Sequence, residues 1–166
     1  MMSPELPQRY GRWALVAGAS AGLGAAFAGE AARCGFDVVL LARRDRALNE
    51  TAARIHEEHG VETRTIVADL ADPDIGSRIE DETDGLDVGV MIYNAAAEPE
   101  GRFLDVSLDE HRANIAVNCW TPTVLAHQFG RQMAHRGRGA IVIVTSMAAL
   151  QASRCSLRMA RRRPTN

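Results

Sequence analysis

Residues 13–24, WALVAGASAGLG, constrain the fold more than any other stretch of the chain. The apolar run at 14–17 has the length of a buried strand. It breaks into glycines at 18, 22 and 24, and a small-residue helical pattern begins at Ala25. Strand, glycine turn and helix in that order present helix N-terminal N–H groups to a phosphate. In that arrangement Gly18 allows a tight turn, Gly22 lets the backbone approach a pyrophosphate, and Gly24 lets helix and strand pack closely. The spacing is G-x3-G-x-G rather than the commoner G-x-G-x-x-G. Taken alone, the turn therefore also suits an ordinary tight connection between a strand and a helix.

The residues beyond the turn decide between the two. Residues 25–34 form an alanine-rich helical stretch stopped by Gly35. Residues 37–41 (DVVLL) make a continuous apolar strand, as expected where both faces of a parallel sheet are covered. A polar-faced helix is expected over 45–59, closed by Gly60, and a third strand over 63–68. A short helix with proline near its first turn is expected over 73–83, and a fourth strand over 87–93. A long helical pattern runs from about 108 to 135, with Pro122 placed to bend it. Residues 140–144 (AIVIV) supply a fifth strand. Strands and helices alternating at this spacing predict an α/β fold: a Rossmann-type, doubly wound parallel sheet. Five strands in the order 3-2-1-4-5 are expected.

Composition narrows the functional classes. The chain has 166 residues, 46% hydrophobic and 24% charged, which suits one globular domain with a real core. A net charge of −2 gives no reason to expect a nucleic-acid partner. Three cysteines, Cys34, Cys119 and Cys155, lack metal-ligand spacing, and reduced thiols in a cytoplasmic protein are expected. The five histidines sit in polar or amphipathic contexts, so no metal site is expected. No apolar leader opens the chain and no run approaches eighteen apolar residues, so neither secretion nor a membrane location is expected.

In an open parallel sheet, ligands bind outside the C-terminal ends of the strands. The residues expected there agree with one another: the 18–24 turn, Arg43 and Arg44, Asp69, Asn94 and Ser146. With AGASAGLG at 17–24, Asp69-Leu70, YNAA at 93–96, Asn118 in IAVN, and IVIVTS at 141–146, the chain resembles the short-chain dehydrogenase/reductase family over residues 11–153. The resemblance implies that Gly18, Ser20, Gly22, Leu23 and Gly24 line the pyrophosphate and adjoining ribose of a nicotinamide cofactor. It places Asp69 and Leu70 beside the adenine, and Asn94 and Ala95 near the nicotinamide-side ribose. Ala96 stands where the family usually has glycine, which adds a methyl group to the loop. Asn118 would hold a water in a proton relay, and Ser146 would hydrogen-bond a carbonyl or alcohol of a small-molecule substrate. The resemblance also implies a homo-oligomeric full-length parent, whereas the chain as written, without the helix of the family's usual interfaces, is not expected to form one.

Cofactor choice rests on the end of the second strand. An acid there would bond the ribose 2′-OH of NAD. This chain has Arg43 and Arg44 instead, and a guanidinium clamps a 2′-phosphate by paired charge-assisted bonds. NADP(H) rather than NAD(H) is expected, with Arg43 as the main contact.

The C-terminal stretch departs from the family. Its tyrosine acid/base lies about thirteen residues after the serine, with a lysine four further on; here those positions hold Met159 and Arg163. Residues 1–153 therefore read as an incomplete cofactor domain and 154–166 as a non-native basic tail. Lacking the family's later elements, the fifth strand is expected to be an exposed apolar edge. A permitted GC-rich back-translation of 153–166, with one cytosine restored after the serine codon, gives S-PLLAPYGATKAYQ, the family's Y-x-x-x-K segment in register. A frameshift after Ser153 is the resulting expectation. The parent protein would be an NADP(H)-dependent oxidoreductase acting on a carbonyl or alcohol, and the chain as written nearly inactive. Two alternatives from other classes are a non-catalytic NADP-binding module and a non-functional fragment. A Rossmann methyltransferase is disfavoured by the arginine at the end of the second strand.

Overall fold

The computed structural model describes residues 5–146. The tail at 154–166, with Cys155, Met159 and Arg163, lies outside the described residues. A short helix α1 (Glu5–Tyr10) precedes β1 (Trp13–Ala17), α2 (Gly22–Arg33), β2 (Asp37–Ala42), α3 (Asp45–His59) and β3 (Thr63–Val67). Then come α4 (Ile75–Glu82), β4 (Val88–Tyr93), α5 (Leu108–Ile115), a π-helical turn (Ala116–Trp120), α6 (Thr121–Arg136) and β5 (Ala140–Ile143). The five strands form one parallel sheet in the order β3-β2-β1-β4-β5, as expected.

The apolar runs of β1 and β2 are buried at every residue because helices cover both faces of the sheet. Alternate residues feed two separate cores. Leu15, Ala17, Val39, Leu41 and Ile66 pack with Ile75 and Ile79 of α4 and with Leu125, Phe129 and Met133 of α6. Ala14, Val16, Val38 and Leu40 face the other way, onto Ala28, Ala31 and Ala32 of α2 and Leu48, Ala52 and Ile55 of α3. The small residues of α2 have a plain use: they bring that helix close to the sheet. Helix α3 ends at Gly60, in the left-handed conformation at φ 69°, where the sequence placed its stop.

Four features differ from the sequence reading. Helix α2 begins at Gly22 rather than at Ala25, because the last two glycines of the turn already belong to its first turn. Helix α4 begins at Ile75 rather than at residue 73. The preceding acids hold turns instead, with Ala71 N–H donating to Asp69 Oδ1 at 3.0 Å and Asp74 N–H to Asp72 Oδ1 at 2.9 Å. Helix α1 was not anticipated. It sits over β4, where a Cβ on Gly89 would lie 2.3 Å from the carbonyl of Tyr10. The long helical pattern from about 108 to 135 is interrupted by the π turn, which ends two residues before Pro122, rather than simply bent.

Charges tie the N-terminal ends of the strands. Asp37 pairs with Arg12 and accepts Glu62 N–H at 2.8 Å, which joins β1, β2 and the approach to β3. Arg138 reaches both Asp87, at 2.7 Å, and the Gln8 carbonyl, at 2.9 Å. On the β5 edge, Ile141, Val142 and Ile143 are exposed, as expected for that strand.

Phe129 is fully buried between α6 and the sheet. Phe129→Ala is expected to lower unfolding stability by about 3–5 kcal/mol through lost burial and the cavity left behind. A shift of the urea midpoint checks this.

Candidate functional site

The loops after β1, β2, β3 and β4 meet at the C-terminal edge of the sheet and enclose a cleft of about 320 Å³. Of the residues expected from the sequence, Gly18, Ser20, Arg43, Arg44, Asp69, Leu70, Asn94 and Ala95 line it, joined by Ala42, Ala96, Ala97 and Val117. Gly22, Leu23 and Gly24 open α2 beside the cleft, and Leu23 is exposed. Asn118 lies in the π turn, and Ser146 is exposed beyond β5 at the same edge of the sheet.

The glycine turn is shaped by close approach. Gly18 has φ 84°, and a Cβ there would lie 2.8 Å from Ala95 N. A Cβ on Gly24 would lie 2.0 Å from the Gly18 carbonyl oxygen. Neither position accepts a side chain without moving backbone. Helix α2 begins with no side-chain cap on its first N–H groups and no acid in its first turn. Unpaired N–H groups and the positive end of the helix dipole therefore face the mouth of the turn, a setting that suits a phosphate.

Two guanidiniums border the same space. Arg44 Nη2 donates to Ser20 Oγ at 3.1 Å, which links the end of β2 to the glycine turn. Arg43 Nη1 stands 4.0 Å from Asp69 Oδ2, an exposed pair of little energetic weight. The sequence reading put the weight on Arg43; the structure gives Arg44 an equal place at the cleft.

The far wall is the loop after β4 together with Val117, braced by α5 and the π turn. Asn118 grips the peptide of Ala97 with both amide atoms: Nδ2 donates to the carbonyl at 2.7 Å, and Oδ1 accepts the N–H at 3.0 Å. Asn114 Nδ2 donates to the same carbonyl at 2.6 Å. Thr121 Oγ1 donates to the Leu70 carbonyl at 2.7 Å. The loop after β4 is thus held by helix side chains rather than by its own sequence. Asn114 and Thr121 were not singled out from the sequence. Pro122 marks a break in the helical ladder close to Thr121, and no local signal marks Asn114.

The phenols and amines of the chain complete the chemical inventory. All nineteen basic residues counted as Lys or Arg are arginine, and the tyrosines are Tyr10 and Tyr93. Tyr10 lies in α1, at the opposite end of β4 from the cleft. Tyr93 is buried, donates to the Val117 carbonyl, and has its phenol pushed well above the usual range by that burial. Neither is placed as a proton donor to the cleft. Among the described residues, no three His, Cys, Asp or Glu side chains come together as metal ligands, and no helix is long and apolar enough to cross a membrane.

Gly24→Ala is expected to displace the turn, cost about 1–3 kcal/mol in stability and weaken any ligand held by the α2 N-terminus. Thermal denaturation with and without nucleotide measures both effects.

The profile of the family described as short chain dehydrogenase matches residues 12–157. A 7beta-hydroxysteroid dehydrogenase of Collinsella aerofaciens is 37% identical over 149 residues, which cover 90% of this chain and 57% of that protein. The very-long-chain 3-oxoacyl-CoA reductase of Homo sapiens is 34% identical over 140 residues, covering 82% of this chain and 45% of the relative. A solved 7beta-hydroxysteroid dehydrogenase superposes with a TM-score of 0.86 at 37% identity, covering 89% of this chain and 57% of the other. A short-chain dehydrogenase from Sphingobium yanoikuyae in complex with NADPH gives 0.78 at 32% identity, covering 83% and 55%. The chain spans a little over half the length of the first of these relatives.

Proposed function

Because the chain belongs to the short chain dehydrogenase family, we propose that its cleft holds NADP(H) and that the enzyme it represents transfers hydride between the nicotinamide and a carbonyl or alcohol. The observation that carries the cofactor choice is the pair of arginines at the end of β2. Arg43 and Arg44 both border the cleft, and Arg44 is held toward the glycine turn by its 3.1 Å bond to Ser20. Two guanidiniums at this position attract a 2′-phosphate, and no carboxylate directly succeeds β2 to bind a free 2′-OH. NADPH in the Sphingobium neighbour agrees with this choice.

The site offers a fitting cradle. The uncapped N–H groups of α2 and the space at Gly22, where a Cβ would meet nothing within 4 Å, leave room for a pyrophosphate. Asp69 and Leu70 border the adenine side, and Asn94 and Ala95 the nicotinamide side. When bound, the nicotinamide supplies or accepts the hydride. Ser146 orients the substrate oxygen by hydrogen bonding. Asn118 is assigned to the proton relay: residue 122 is proline, so the Asn118 carbonyl lacks its α-helical N–H partner and has acceptor capacity left for water. The matches to 7beta-hydroxysteroid dehydrogenases make a hydroxysteroid the first substrate to try.

The family's tyrosine and lysine positions hold Met159 and Arg163 in this chain. The chain as written therefore binds cofactor and turns over slowly, since loss of a general acid costs about two to four orders of magnitude in rate. Residues 154–166 are read as out of frame. Sequencing the coding DNA there is expected to show a single-base offset that opens a Y-x-x-x-K frame, and DNA with no such offset overturns that part.

Titration of the protein with NADPH and with NADH is the test of the cofactor assignment. NADPH is expected to bind about 10–100-fold more tightly, with the preference lost in the Arg43→Ala, Arg44→Ala double variant. Equal affinity of the unmodified chain for both nucleotides overturns the assignment.

A further inference from the structure

The rod formed by α5 and α6 changes its hydrogen-bond register at one place. In an α-helix, Thr121 N–H would serve the Val117 carbonyl, four residues back. Here it donates to the Ala116 carbonyl instead, five residues back. The shift leaves the Val117 carbonyl without its helical donor, and Val117 is only 7% exposed. A buried carbonyl without a partner is costly, so a donor must come from elsewhere. It comes from the sheet: Tyr93 Oη, at the end of β4, donates to Val117 O at 2.5 Å. Tyr93 is itself 2% exposed, and burial keeps its phenol protonated and a donor.

The register matters to the cleft. Inserting one residue into a helical turn rotates everything beyond it by about 100° relative to what precedes. Asn114 lies before the π turn, Asn118 within it and Thr121 after it. Even so, the three grip neighbouring parts of the cleft rim: Asn114 and Asn118 hold Ala97, and Thr121 holds Leu70. Both Ala97 and Leu70 line the cleft. A helix in uniform α register could not keep all three contacts. Pro122 has no N–H for Asn118, four residues back, or for Val117, five residues back, so it permits the π turn but residue 122 cannot serve the Val117 carbonyl in either register.

We propose that Tyr93 is a positioning residue: its hydroxyl, by satisfying the Val117 carbonyl, locks the π register that aims Asn118 and Thr121 at the rim of the cleft. Without that hydroxyl the helix mends the orphaned carbonyl by moving Thr121 N–H from Ala116 to Val117. The effect on cofactor binding rests on the NADP(H) reading proposed for the cleft; the register lock does not.

The test compares the full chain with Tyr93→Phe, which removes one oxygen and keeps the ring in the core. Scalar couplings across hydrogen bonds, measured by NMR, identify the acceptor of Thr121 N–H directly. In the unmodified chain the coupling is expected to Ala116 C′, and in Tyr93→Phe to Val117 C′. NADPH affinity should fall about tenfold in the same variant, the equivalent of one lost buried hydrogen bond. Pro122→Ala, with Tyr93 intact, is expected to keep the Ala116 coupling. An Ala116 coupling retained in Tyr93→Phe overturns the lock, as does a switch to Val117 in Pro122→Ala. A moved coupling with unchanged NADPH affinity overturns the link to the rim. If the unmodified chain binds no NADPH while the coupling still moves, the functional reading fails and the lock stands.

Discussion

Strand β1 is hydrogen-bonded on both sides, to β2 and to β4, with all five of its residues buried. Both pairings are parallel, so each chain crossing must return by a helix, and all strands deliver their C-terminal ends to the same edge. The cleft is a consequence of that pairing. Its walls are the loops after four strands, and no single loop could make it. The order of the sheet, with β2 on one side of β1 and β4 on the other, opens the cleft where the connections part company.

Within that frame the cleft is built mainly from backbone. The first strand's glycine turn packs against the start of its own helix and against the loop after β4, so close that Gly18 and Gly24 have no space for a methyl group. The opposite wall is held from outside by α5, the π turn and α6, whose polar side chains bond backbone atoms of Ala97 and Leu70. The chain thus uses side-chain hydrogen bonds to place peptide groups. Charge arrives separately, from Arg43 and Arg44, on a strand end that is positioned by the sheet. Shape and charge at the cleft therefore come from different elements, joined where Arg44 donates to Ser20 of the glycine turn.

Much of this was legible in the sequence. The apolar runs of β1 and β2 and the stop at Gly60 read directly, because burial on both faces and a left-handed helix end leave plain residue signatures. The glycine turn, Arg43, Asp69, Asn94 and Ala95 were placed at strand ends, and the structure brings them to one cleft. What the sequence hid was contact at a distance. Nothing local marks Asn114 as a partner of Ala97, seventeen residues earlier. Tyr93 read as part of a motif rather than as a donor to Val117, twenty-four residues on. The start of α4 was misplaced because Asp69 and Asp72 compete for backbone N–H groups through their side chains. Pro122 announced a disturbance of the helix but not its form.

The proposed cofactor site is the edge where four strands end, organised by the α2 N-terminus and the two arginines. A crystal structure of the chain grown with NADP+ tests it most directly. The pyrophosphate is expected against the first N–H groups of α2, and the 2′-phosphate within hydrogen-bonding distance of both Arg43 and Arg44. Nucleotide bound elsewhere, or a 2′-phosphate pointing into solvent away from both guanidiniums, would contradict it.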